Sequence, residues 1–383
     1  MKTPQIAKTK HVRPSAAAFK CQQIDMFQDF LYNTPEQLES LSNSIPLWDC
    51  LPKYVISRQT AHKLRKNAQL PPMLKLRCQH FKKWFAVKIF PARISDENDR
   101  ITEYYPSATE ELVEDVLRRI STLQDYGFYK DGGPKLRSSG VAFTISQLRE
   151  ELRKHGHSRS HKEIVQSLDI LAKSIIEIRT EGEGDSGYIV SPYFTQLQAV
   201  SRTDFRNDPH AKWYVEFHPL ITQAIGTMIG YRQYNYSLMM SHSTQLARWI
   251  NKYLVIKFTF AHIGIKFDLH FSTVKRDSAL LESYGRLIDA RNAVKLALEE
   301  LRNNGLLLSF TVEKPSNQGR KVEDVIYSLY PSPAFVAEIK AANRREKDSQ
   351  KMLEKPISAI EPGGLAHTRR RKSGGLAHAS LEV

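Results

Sequence analysis

An α+β fold in which one small plan is built twice in tandem is what this sequence predicts, on three observations. In RLIDARNAVKLALEELRNN, Leu287, Ala290, Val294, Ala297 and Leu301 recur at spacings of three and four, which places them on one helix face. Gly305 stops that helix, and LLLSFTV and VEDVIYSLY read as strands joined by the basic loop EKPSNQGRK. The same order of helix, short strand, helix, polar-faced helix and hairpin is legible earlier, between residues 107 and 194. Finally, the formal net charge is +15 and the pI near 9.5, an excess that repels itself unless the partner is a polyanion. Helix, strand, basic hairpin, strand is the second half of a winged helix, a module that offers its helix to the major groove and its hairpin to flanking phosphate. The prediction is therefore two tandem winged-helix domains, with a flexible N-terminal arm and a disordered basic C-terminal tail. The arm takes residues 1–83, the first domain 84–206, the second 207–331 and the tail 332–383.

Bulk properties narrow the class further. With 383 residues, 41% hydrophobic and 25% charged, the chain is long enough for two domains and ordinary for a globular protein. An anionic membrane surface is the rival to nucleic acid as a partner, but no apolar run approaches the ~20 residues that span a bilayer. The opening MKTPQIAKTKHVRPSAAAFK has charge without an apolar core, unlike a secretory signal. Cys21, Cys50 and Cys78 are odd in number and far apart, matching neither a disulfide framework nor a zinc site. The expected setting is a reducing bacterial cytoplasm, with no membrane partner and no cofactor.

Taken in order, residues 1–20 are polar and unpatterned, and CQQIDMFQDFLYN follows. Within it Gln23, Ile24, Asp25, Met26 and Phe27 form QIDMF, a string suited to a hydrophobic groove: the glutamine hydrogen-bonds and the apolar residues fill pockets. Its other reading is a short amphipathic helix against the first domain. Residues 34–83 carry turn signals and the basic segment SRQTAHKLRKN, a linker-like arm; Trp84 to Ile89 alternates as a strand. Ser107 caps ATEELVEDVLRRISTLQ, with Glu110 as capping-box partner and Leu112, Val116, Ile120 and Leu123 as the apolar stripe. VAFTIS reads as a strand and SQLREELRKHG as a helix ending at Gly156. Ser158 is expected to start RSHKEIVQSLDILAKS, which buries Ile164, Leu168 and Leu171; IIEIRT and YIVSPYF make its hairpin. WYVEFHPLITQAI links the two units, and Ser241 or Ser243 is expected to cap TQLARWINKYLVIKF, with Leu246, Ile250, Tyr253 and Leu254 inside. FDLHFSTVKRDSALL supplies the next strand and helix. After Pro331 the pattern decays into a tail in which GGLAH recurs around Arg369, Arg370, Arg371 and Lys372.

No GxxxxGK[ST] string is present, so ATP chemistry is not expected. His155, His157 and His161 in KHGHSRSH have a spacing that a metal or nicking site uses. Gly156 breaks the first pair at a helix end and no acids or cysteines complete a site, so the expected role is a basic loop ahead of a DNA-facing helix. His218 and His242 read as structural, and the acids as solvated charge on helix surfaces. The expected action is non-enzymatic: both units clasp one duplex. Arg286, Arg291 and Asn292 are the candidate base readers, since Arg suits guanine and Asn suits adenine. Lys275, Arg276, Lys295, Lys314, Arg320 and Lys321 are the candidate phosphate contacts, and Arg159, Lys162 and Gln166 do the corresponding work in the first domain.

Several stretches resemble a known family. WYVEFHPLITQAI followed by STQLARWINKYL, with its Ala247-Arg248 pair, is similar to the junction between the two winged helices of plasmid replication initiators of the TrfA and RepC type. ALEELRNNGLLLSF resembles their C-terminal recognition helix and strand, SHKEIVQSLDILAKSIIEI the matching passage of the first domain, and PLWDCLPKYVISRQ the segment ahead of it. The likeness is one of pattern, covers about residues 22–330, and does not extend to the tail. It implies binding of repeated origin sequences (iterons), local duplex opening, recruitment of the host helicase machinery, and self-association into dimers that repress the protein's own gene. It also implies that QIDMF binds the bacterial sliding clamp, because such initiators carry a clamp-binding string upstream of their winged helices. A winged-helix transcriptional regulator without initiator activity is the alternative, and a nicking replication enzyme a third.

Overall fold

The computed structural model describes residues 40–354 apart from 97, 123–126, 131–136, 183–186, 202–203, 228–230 and 314–323. It is a mixed α/β fold. The chain opens with β1 (Leu41–Ser44), α1 (Pro46–Cys50), α2 (Arg58–Lys66), the hairpin β2 (Leu74–His80) and β3 (Lys83–Phe90), and the short hairpin β4 (Ala92–Ser95) and β5 (Ile101–Tyr104). A first helical unit holds α3 (Ala108–Ser121), β6 (Gly127–Lys130), β7 (Ser138–Thr144), α4 (Ile145–Lys154), α5 (His161–Lys173), β8 (Ile175–Glu181) and β9 (Tyr188–Pro192). The link is β10 (Phe194–Val200), β11 (Lys212–Phe217), α6 (Pro219–Thr227), β12 (Arg232–Asn235) and α7 (Tyr236–Met240). The second unit holds α8 (Gln245–Lys257), β13 (Phe267–His270), α9 (Phe271–Ser278), α10 (Leu287–Asn303), β14 (Leu307–Glu313) and β15 (Ile326–Pro331), and α11 (Pro333–Glu354) follows.

The order of helices and strands recurs as the periodicity predicts, but the strands pair differently in the two units. In the second, β13 joins the hairpin directly, giving the antiparallel order β13-β15-β14. In the first, β8 pairs with β3 in the sheet β2-β3-β8-β9, whereas β7 lies in β10-β11-β7-β6. Cross-strand apolar pairs account for the difference, because Val87 faces Ile178 and Ile89 faces Ile176, while Val141 faces Val215. β7 and the hairpin strand β8 are thus each paired with a strand from outside the unit.

Two expected boundaries are corrected. The division between residues 83 and 84 falls inside β3, cutting the β2–β3 hairpin, and Ile45, Trp48, Leu51 and Tyr54 belong to the core rather than to an arm. Trp48 is fully buried, stacked on His218 at 4.4 Å and edge-on to Tyr193 at 5.8 Å, and β1 pairs with β12. A buried indole is too costly to leave in water, so it draws the segment around it into the protein. At the other end, the tail does not begin at residue 332. Phe335, Val336 and Ile339 of α11 are buried, Glu338 accepts from the Asn235 amide at 2.9 Å, and Arg232 reaches Asn343 and Glu346. Residues 1–39, with QIDMF, and 355–383 lie outside the described residues.

Helix α3 departs most from expectation. Ser107 and Glu110 form the capping box that the sequence predicts. Yet every residue from Thr109 to Ser121 is buried, so its acids are not solvated surface charge. Arg118 binds Asp49 (2.7 and 3.0 Å) and Asp115 (2.8 Å), and Lys252 of α8 binds Asp115 (2.6 and 2.8 Å) and approaches Glu111 at 3.5 Å. Glu114 accepts from both the Trp48 indole and the Tyr54 hydroxyl. Burial opposes the charge on Lys252, but Asp115, Glu111 and Asp49 outweigh it and hold its pKa above the ordinary value. This network joins α1, α3 and α8, and so sets the first unit against the second.

Candidate nucleic-acid interface

Helix α10 is anchored at its C-terminal half and open at its N-terminal half. Ala290, Val294, Ala297, Leu298 and Leu301 are buried, whereas Leu287, expected on the same stripe, is 55% exposed because it lies beyond the end of the core. Glu300 accepts from the Ser243 hydroxyl (2.8 Å) and the Thr244 hydroxyl (2.6 Å), capping α8 from outside. Burial would raise the Glu300 pKa, and these hydrogen bonds more than offset it, so the carboxyl titrates below its ordinary value. Thr244 is the N-cap of α8, in place of Ser241 or Ser243, and Ser160 rather than Ser158 caps α5. In each case the cap is the residue whose hydroxyl meets an open amide of the first turn.

His242 ties the same end down. Its ring lies between the side-chain amides of Asn251 on α8 and Asn304 at the end of α10, at 2.9 and 2.8 Å. Burial pushes its pKa from 6.5 to about 4, a lowering that Glu300 opposes and Arg248 reinforces. The folded chain therefore holds this ring neutral while the unfolded chain takes up a proton below pH 6.5, so stability is lost as pH falls from 6.5 towards 4. Equilibrium unfolding is expected to record ~3 kcal/mol of such loss from this group, and His242→Gln should flatten that part of the profile. Burial also lowers His218 to about 3 and His80 to about 4, so both act in the same direction. A wild-type profile unchanged between pH 7 and about 4 would contradict this assignment.

The proposed contact residues on the second unit divide. Asn292 and Lys295 are exposed on the outward face, Lys295 only loosely paired with Glu299 at 3.8 Å. Arg286, the N-cap residue, is exposed and paired with Asp289 at 2.8 Å. Arg291 is half-buried over the Phe271 ring at 5.6 Å and stands on the flank of the helix. Lys275 is half-buried on α9. Arg276 is turned inward: it grips Asp277 through two 2.7 Å bonds and lies over Trp84 at 5.4 Å, and Asp277 accepts from the Gln79 amide at 2.9 Å. These contacts hold α9 against β2 and leave the side chain one-third exposed. Lys314, Arg320 and Lys321 lie outside the described residues.

On the first unit Lys162 is exposed, and Arg159 and Gln166 are half-buried. The face of α5 is partly crossed by the loop between β10 and β11. There His161 bonds to the Arg206 carbonyl oxygen at 2.7 Å, and Arg206 pairs with Asp169 at 3.5 Å. His157 bonds to the Met240 carbonyl oxygen at 2.8 Å and His155 lies edge-on to Tyr236, so the three histidines point to three different partners. Among the described residues no group of His, Cys, Asp and Glu is placed to hold a metal. Sequence reasoning missed an open groove lined by Arg149, Arg153, Arg159, Ser146, Ser158 and Glu150. The signal was the i, i+4 pair Arg149 and Arg153 on α4. It also missed α2, where Arg58 binds Glu110 (2.7 Å) and Ser167 of α5 (3.0 Å), leaving His62, Lys63 and Lys66 exposed beside the unit.

No family model and no curated protein matches the chain. Among solved structures it is similar to domains 2 and 3 of RctB in a selenomethionine crystal form. That likeness has 10% identity and a TM-score of 0.46, over 75% of this chain and 98% of that one. A second RctB structure of domains 2–3 gives 11% identity and a TM-score of 0.43, over 71% of this chain and 95% of that one. The Pi initiator protein in complex with iteron DNA gives 12% and 0.37, over 58% and 90%. At such scores the likeness decides neither fold nor function. No described helix is long and apolar enough to cross a membrane.

Proposed function

We propose that this chain is a sequence-specific duplex-DNA-binding protein that initiates replication at repeated origin sequences, acting without enzymatic chemistry through two winged-helix modules. One observation carries the reading: α10 is fixed at one end by Glu300 and His242 and presents Asn292 and Lys295 outward at the other, beside Arg286. A rigid helix with an open polar and cationic face is what a major groove accepts. The excess positive charge and the cations of α2 and α4 support a second contact along the same duplex. The initiator role, rather than DNA binding alone, rests on the resemblance to plasmid initiators, and so do duplex opening, helicase recruitment and self-association.

The deciding experiment is nuclease protection by purified protein of the DNA flanking its gene. Direct repeats, each protected over about two helical turns, are expected from two modules lying along one duplex. Protection of a single unrepeated operator would overturn the initiator reading. A pull-down of bacterial sliding clamp is expected to succeed with the full chain and fail with Met26→Ala/Phe27→Ala. Equal recovery of clamp, or none with either protein, would leave a transcriptional regulator as the better description.

A further inference from the structure

The outward face of α10 carries more than polar readers. Ile288 is 62% exposed and Leu296 63% exposed, and Asn292 stands midway between them. The three follow at intervals of four, so they form one stripe on the side away from Ala290, Val294 and Leu301. Two large aliphatic side chains held in water on a well-anchored helix gain free energy as soon as something apolar covers them. On the helix itself Arg286, Arg291 and Lys295 outnumber Asp289 and Glu299, and the chain as a whole is strongly basic. A second copy of the same face would bring like charges together; a polyanion with apolar spots in its groove would not. Duplex DNA offers such spots in its major groove, where thymine alone among the four bases presents a methyl group.

We propose that Ile288 and Leu296 read thymine methyl groups and that Asn292 reads an adenine between them, making the preferred half-site of this helix A·T-containing. This rests on the DNA-binding reading above and specifies its sequence class. Eight residues of helix span about 12 Å, so the two thymines are expected about three to four base-pair steps apart.

Selection from a random-sequence duplex pool defines the preferred site, and deoxyuridine then replaces thymidine throughout it, which deletes the methyl groups and preserves pairing. Fluorescence anisotropy is expected to give about 15-fold weaker binding of the uracil duplex by wild type, about four-fold per methyl. Ile288→Ala and Leu296→Ala should each discriminate only about four-fold, and the double variant not at all. Both positions are exposed, so circular dichroism should show every variant folded. Equal wild-type affinity for the thymine and uracil duplexes would overturn the proposal while leaving sequence-specific binding intact. Selection of no sequence at all would instead overturn the DNA-reading function beneath it. Loss of self-association by the variants in sedimentation, with thymine discrimination unchanged, would assign the stripe to a dimer contact and overturn the proposal too.

Discussion

Replacing Lys252 by methionine is expected to cost about 3–5 kcal/mol of folding stability, read from urea unfolding followed by circular dichroism. The side chain is 5% exposed and its ammonium is shared between Asp115 and Glu111. Methionine keeps the apolar stem and removes only the charge, so the loss measures two carboxylates left in a dry interior rather than a cavity. Arg118 remains beside Asp115 and limits the damage, which keeps the expectation within that range. The combined change Lys252→Met with Asp115→Leu should recover part of the loss, because it removes one of the two stranded carboxylates and leaves Glu111 beside Arg248 at 4.0 Å. A loss under about 1 kcal/mol would mean that water reaches the network, as at a surface ion pair. The same lysine links α8 to α3, so Lys252→Met should also loosen the angle between the two units and broaden tolerance for altered site length in DNA binding.

On DNA, Asn292→Ala is expected to weaken the specific duplex by about 1–3 kcal/mol and leave random duplex unchanged, since its amide is the exposed group suited to a bidentate adenine contact. Lys295→Ala should weaken both duplexes alike and reduce the salt dependence by about one phosphate contact. Titrations of each variant against both duplexes at several salt concentrations separate the two roles. An equal loss for Asn292→Ala on specific and random DNA would remove it from the base readers. Arg276→Ala belongs to neither group: with its guanidinium committed to Asp277 and Trp84, its effect should fall on stability and spare the salt slope.

These expectations depend on how far local pattern reaches. The α10 stripe of Ala290, Val294, Ala297 and Leu301, the Ser107–Glu110 capping box, and the recurring order of helices and strands were legible in the sequence. Each is set by residues within a few positions of one another: helical periodicity and capping are short-range properties, and the expectation of a polyanionic partner comes from the sum of charges alone.

Tertiary structure alone decided the rest. Whether Leu287 is inside or outside, whether Glu111 and Asp115 are solvated, and whether Arg276 lies over Trp84 depend on what packs against them from tens or hundreds of residues away. Strand partners were equally undetermined, because the apolar alternation of β8 does not name its neighbour, and in the folded chain that neighbour is β3. Alternation specifies which face of a strand is buried but not which neighbour buries it, and a carboxylate on a helix carries no local mark of the lysine that will neutralise it.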